Sequence, residues 1–182
     1  IWFIYKMIIW LASYPKSGNT WVKIFLNSIL FSKDQIDINK NNIRLFPLRS
    51  DFNTLNVNID NIKEFADNCL NAQNLINIDN KIKFFKTHNA LWKLGENAFT
   101  NEDNTLGVLH IVRDPRNVIT SLKNHFNRKS YEEALFFLKD QKKSIGSRKT
   151  KDDGDLPTII SSWSNHYNSW KKMKKNYLLI KY

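Results

Sequence analysis

Three groups of residues carry side chains suited to handling anions and protons. The first is Tyr14-Pro-Lys-Ser-Gly-Asn-Thr-Trp21, where Lys16 supplies a cation, Ser17 and Thr20 supply hydroxyls, and Pro15 and Gly18 break the chain. The second is Lys86-Thr-His88, a cation and an imidazole two residues apart. The third is Val112-Arg-Asp-Pro-Arg-Asn-Val-Ile-Thr-Ser121, with Arg113 and Ser121. A tight turn that follows a strand and feeds a helix aims backbone N–H groups and a helix N-terminus at an anion. The first group therefore reads as a phosphate-binding loop. In the nucleotide loop GxxxxGK[ST] the lysine follows the second glycine. Here Lys16 precedes Gly18, so ATP or GTP is not the natural inference.

These groups need elements that bring them together. Met7 to Ser13 is a continuous apolar run, suited to a strand buried on both faces. Lys81 to Thr87, Leu106 to Val112 and Tyr177 to Tyr182 read as further strands. A helix is expected from Asn19 or Thr20 to Phe31. It is apolar nearly all round, with Lys23 and Asn27 on one face, and is expected to be mostly buried. Ile59, Ile62, Phe65, Ala66, Cys69 and Leu70 fall at helical spacing, with Asn58 or Asp60 as N-cap. Pro115 sits where a first helical turn tolerates proline, ahead of Val118, Ile119, Leu122 and Phe126. Tyr131 to Lys139 is another helix. A long helix is expected from Pro157-Thr158, its buried stripe running from Ile159 and Ile160 to Trp170 and Met173, with the cluster Lys171 to Lys175 in its last turn.

Strands alternating with helices imply an α/β fold: a parallel central sheet flanked by helices. Sites then belong at the carboxyl ends of the strands. Three strands end on Lys16, on Lys86 and His88, and on Arg113, and this convergence says more than any one motif.

At this point the chain resembles the sulfotransferases that use 3'-phosphoadenosine 5'-phosphosulfate (PAPS). Tyr14 to Trp21 is similar to their 5'-phosphosulfate loop, Lys86-Thr-His88 to their catalytic segment, and Val112 to Ser121 to their 3'-phosphate segment. Trp163 and the closing Leu178-Leu-Ile-Lys-Tyr182 resemble the run leading to their Tyr-Glu-Asp stretch. The resemblance implies a P-loop-containing fold and PAPS as co-substrate, without a metal. It implies that Lys16, Ser17, Gly18, Asn19, Thr20 and Trp21 bind the donor, Trp21 by stacking on adenine. Arg113 and Ser121 would hold the 3'-phosphate, and Tyr182 would touch the adenine. His88 would be the general base, with Lys86 and Lys16 stabilising charge during transfer. The family continues past Tyr182 to an Arg-Lys-Gly…Gly-Asp-Trp-like segment, so the chain is expected to be incomplete at its C-terminus, with low or no activity as it stands.

Each role has a plainer alternative. Lys16 could be a solvated turn lysine, His88 a strand-end residue, Ser121 an ordinary helix serine and Trp21 core only. Arg113 could pair with Asp114 or Asp153. His110, His125 and His166 have no comparable setting and read as structural.

Length and composition bound the remaining choices. The 182 residues are 42% hydrophobic and 13% aromatic, as in one globular domain. The net charge of +11 favours polyanions. The lysines are spread through an Asn- and Lys-rich sequence, so a basic nucleic-acid-binding protein is an alternative and no nucleic-acid partner is expected. A P-loop kinase-like phosphotransferase is the other alternative. The single cysteine, Cys69, reads as a small buried hydrophobe and points to a reducing compartment, the cytoplasm. The apolar N-terminus is too short and interrupted for a membrane span. Met7 directly precedes the first strand, and residues 1–6 are read as an artefact of where the reading frame opens. The acceptor, a small molecule or a sugar, is expected to be read by Asp34 to Lys81 and by the loop Ser144 to Asp155. The oligomeric state has no signature.

Overall fold

The computed structural model describes residues 6–31, 42–146 and 156–182. Parts of both segments expected to read the acceptor, and Asp153, lie outside the described residues. The elements are β1 (Ile8–Ser13), α1 (Asn19–Phe31), β2 (Arg44–Leu45), α2 (Ile62–Asn77), β3 (Lys83–Thr87), β4 (Lys93–Leu94), β5 (Asn97–Ala98), β6 (Thr105–Val112), α3 (Pro115–His125), α4 (Tyr131–Lys139), β7 (Ser144–Ile145), β8 (Thr158–Ile159), α5 (Trp163–Trp170) and β9 (Tyr177–Lys181).

The central sheet has five strands in the order β2-β3-β1-β6-β9, every pair parallel. This is the expected α/β arrangement. β1 lies in the middle, and the order of the chain reverses across it, with β3 on one side and β6 on the other. Ligands of open parallel sheets bind at such a switch point, beyond the strand carboxyl ends. Ile8, Trp10 and Ala12 face one side of β1 and Leu11 the other, so both faces are buried. Trp10 is fully buried among Phe46, Phe85, Phe99 and Trp170, and its indole N–H donates to Thr105 Oγ1 at 3.0 Å. Each such ring pair contributes about 0.5–1.5 kcal/mol beyond its buried area. α2 covers this face with Phe65, Ala66, Cys69 and Ala72. Its cap is Asn61, whose side chain accepts from Lys63 N, rather than Asn58 or Asp60.

α1 covers the opposite face through Val22, Leu26 and Phe31, packed against Leu11 and Ile111. It begins and ends as expected, but it is not mostly buried: Trp21, Phe25, Ile29 and Leu30 are exposed and Asn27 is buried. Only one side of a helix can meet a sheet. With apolar residues all round, the sequence does not say which side that is.

The expected long helix from Pro157 does not form. Thr158 and Ile159 instead pair antiparallel with Ser144 and Ile145. Ile159 N donates to Asn89 Oδ1 at 2.9 Å, and Ile160 N to Lys143 O at 3.0 Å. Ser161 then takes a left-handed φ of 58°, and Ser162 caps α5 by accepting from Asn165 N at 3.2 Å. The extended segment is held by specific acceptors, which outweigh its apolar spacing. α5 ends at Trp170, so Lys172, Lys174 and Lys175 lie beyond the last turn in which they were expected.

Candidate functional site

Between Ser13 and Asn19 the chain turns sharply from β1 into α1. Lys16 has φ 67° and Gly18 φ 93°, both left-handed. For a residue with a Cβ this conformation costs about 1–3 kcal/mol, and such strain collects at working sites. Gly18 is required on a second ground, since a Cβ there would lie 2.5 Å from the Tyr182 ring. The amides of Trp21 and Val22 donate back to Gly18 O at 3.0 and 3.2 Å. The amides before them belong to the first turn of α1, where helical partners are lacking and the dipole is positive.

This loop forms one wall of a cleft of about 410 Å³, within the range of small-molecule sites at about 300–1,000 Å³. Pro15, Lys16, Gly18, Asn19, Thr20 and Trp21 line that wall. Lys86 and His88 enter from the end of β3, Arg113 from the end of β6, and Tyr182 from the end of β9. Ser121 and His125, one turn apart on α3, close the far side with Phe126 and Ile145. Among the described lining residues there is no aspartate or glutamate, so the field in the cleft is positive.

The sequence-predicted residues thus meet in one place, with one qualification. Ser17 is buried at the loop rather than lining the cleft, and its hydroxyl has no hydrogen-bond partner. Trp21 is 67% exposed at the rim, so it is not a core residue. Arg113 does not pair with Asp114. Asp114 caps α3 and binds Arg116 at 2.5 Å, while Arg113 Nη1 donates to Lys16 O at 3.3 Å. Its guanidinium also lies 5.4 Å from the centre of the Tyr182 ring. Asn19 lines the cleft, and its side-chain amide donates to Leu11 O at 3.1 Å and Ser13 Oγ at 2.9 Å.

His88 is fixed from below. The parallel register pairs Ala12 with Thr87, which brings Ser13 level with His88. His88 Nδ1 lies 2.8 Å from Ser13 O and 3.1 Å from Ser13 Oγ. A carbonyl oxygen only accepts, so Nδ1 carries the proton and the lone pair is on Nε2. Burial, followed by the charge of Lys86, lowers the His88 pKa to about 4; the bond to Ser13 O opposes this, and Lys16 adds to it. The imidazole is therefore neutral at ordinary pH.

The next residue, Asn89, anchors the strand exit and was not singled out by the sequence. Its Oδ1 accepts from Trp92 Nε1 at 3.1 Å and from Ile159 N at 2.9 Å, and its carbonyl accepts from Trp170 Nε1 at 2.9 Å. His166 and His110 are buried behind this segment, and burial holds the pKa of both below the usual histidine value. His125, by contrast, lines the cleft although it read as structural. Its position one turn after Ser121 on an amphipathic helix was the available signal.

Among the described residues no group of three or more His, Cys, Asp or Glu side chains could hold a metal ion, and no helix is long and apolar enough to cross a membrane. The family model described as Sulfotransferase domain matches residues 7–182. No curated protein matches the chain.

Proposed function

The chain belongs to the sulfotransferase domain family, which it matches over residues 7–182, and from that premise we propose that it transfers a sulfuryl group from PAPS to a hydroxyl or amine of a small-molecule or sugar acceptor. The observation that carries this reading is the meeting of Lys16, His88 and Arg113 in one cleft without a lining carboxylate among the described residues. A donor with phosphates at both the 5' and 3' positions needs cations at two places. Lys16 and Arg113 come from the ends of different strands. The buried, unpartnered Ser17 hydroxyl is the kind of group that a phosphate oxygen satisfies.

In this reading Lys16, the loop amides, Ser17 and Thr20 hold the 5'-phosphate and the bridging oxygen. Arg113 and Ser121 hold the 3'-phosphate, the arginine by charge-assisted hydrogen bonds. Trp21 and Tyr182 offer ring faces to the adenine. The acceptor oxygen or nitrogen attacks sulfur as the bond to the bridging oxygen breaks. His88 Nε2 takes the acceptor's proton, and Lys86 faces the charge on the moving group. Fixed cations lower the barrier because charge grows on the bridging oxygen as its bond breaks. Lys16 and Lys86 supply that positive charge, and no metal is invoked. A free buried thiol at Cys69 fits a reducing compartment, and we place the protein in the cytoplasm.

Calorimetry tests the donor class. Adenosine 3',5'-bisphosphate is expected to bind without magnesium, and Arg113→Ala is expected to abolish that binding. Tight, magnesium-dependent ATP binding would overturn the reading in favour of a phosphotransferase. DNA binding with steep salt dependence, indifferent to Lys16→Ala, would favour a nucleic-acid-binding protein.

The pH dependence follows from His88. A lowered pKa keeps the base deprotonated and competent above about 4, and activity is lost as pH falls through that value. Two of the three causes of lowering are charge from Lys86 and Lys16, which a bound anion offsets. The acid limb of kcat, which reports the bound enzyme, is therefore expected at higher pH than the acid limb of kcat/KM, which reports the free enzyme. Coincident limbs would mean that the donor does not lie against these lysines.

A further inference from the structure

We propose that Asn19 and Ser13 are positioning residues for His88, so that one side chain ties the anion loop to the base; the catalytic part of this rests on the reading above. Asn19 is the first residue of α1 and lines the cleft. It is buried. Both amide hydrogens are used within β1, one on Leu11 O at 3.1 Å and one on Ser13 Oγ at 2.9 Å. Leu11 O can only accept, so the NH₂ group must face it and the amide cannot be flipped. Asn19 Oδ1 is left buried without a partner. An orphaned acceptor is costly, and that cost is tolerated where the same group does something else.

What it does is hold Ser13. Ser13 is fully buried, and its two oxygens are the partners of His88 Nδ1, at 2.8 Å from the carbonyl and 3.1 Å from the hydroxyl. The hydroxyl accepts from Asn19 and stands beside the Nδ1 proton. The chain of contacts runs from the helix that receives the anion, through Asn19 and Ser13, to the imidazole. Free histidine populates both neutral tautomers. Here Ser13 O selects the Nδ1–H form, the one that leaves Nε2 able to take a proton, and the hydroxyl held by Asn19 adds a second contact that fixes the ring's orientation. The loop of residues 14–18 is clipped at both ends by the same side chain, so its shape and the base's orientation are set together.

Nitrogen NMR on histidine-labelled protein reads the tautomer directly. The unmodified chain and Asn19→Ala are both expected to show His88 as the Nδ1–H form, because Ser13 O remains, with the His88 nitrogen signals displaced in Asn19→Ala as the hydroxyl that Asn19 holds is released. Single-turnover rates for Asn19→Ala are expected to fall about 10- to 100-fold, the range for a misplaced catalytic group, with a smaller loss in affinity for adenosine 3',5'-bisphosphate. Ser13→Ala removes only the hydroxyl from a buried position and is expected to act in the same direction; it serves if Asn19→Ala unfolds. A proton on Nε2 in the unmodified chain would overturn the proposal. So would unchanged His88 nitrogen signals with an unchanged rate in both variants. The nitrogen signals need no substrate. Absence of sulfuryl transfer with that displacement of the His88 signals intact would therefore count against the sulfotransfer reading and for the network.

Discussion

His88→Ala is expected to lower the single-turnover transfer rate by about 10²- to 10⁴-fold, the usual contribution of a positioned acid–base group, while adenosine 3',5'-bisphosphate still binds. The expectation rests on geometry before pKa. The Nδ1 proton is committed to Ser13 O, so Nε2 is the one basic atom the ring can offer. His125 lines the same cleft but stands on α3, across from the loop, and has no such anchor among the described contacts. Labelled PAPS with a panel of acceptors measures the loss relative to the unmodified chain. Retention of full rate would remove His88 from the chemistry. Loss of nucleotide binding together with rate would recast it as part of the donor site.

Lys16→Met is expected to lower kcat and kcat/KM together by about 10²- to 10³-fold, as when one preorganised donor to a developing anion is removed. Methionine keeps most of the aliphatic stem, so the test concerns charge and not packing. The backbone at this position already holds a left-handed φ of 67°. That conformation is equally unfavourable for methionine, so the native strain is unchanged and thermal stability should be too. If KM for the donor rises while kcat stays the same, Lys16 binds ground state and transition state equally and does not act on the breaking bond.

The strands were legible because β1 and β6 are unbroken apolar runs that end on chemically capable residues. Such runs are what a parallel sheet covered on both faces requires. The sharp turn between β1 and α1 was legible because proline and glycine fall within one turn, directly after the apolar run of β1. The orientation of α1 was not, since a helix apolar on every side gives no inner face, and Asn27 went in while Phe25 and Ile29 stayed out. The stretch before α5 misled because its apolar spacing suits a helix. Its partners, Asn89 Oδ1 and Lys143 O, are remote in sequence. Ser13 was missed for a related reason. It is 75 residues from His88, and only the register between β1 and β3 makes them neighbours. Asn19 was read by its place in the loop, which says nothing about where the amide turns.

The central place of β1 also bears on how the protein comes into being. β1 precedes both of its sheet partners in the chain, and Lys16 meets Arg113 across 97 residues. At translation rates of roughly 5–20 residues per second, the strand waits on the order of 5–20 s before β6 has been made. During that interval an apolar strand with two open edges is a template for pairing with other chains. Long-range parallel pairing is also slow to form once the partners exist. The topology that collects the loop, His88 and Arg113 at one end of the sheet therefore leaves β1 of the nascent chain open to pairing with other chains until β3 and β6 arrive.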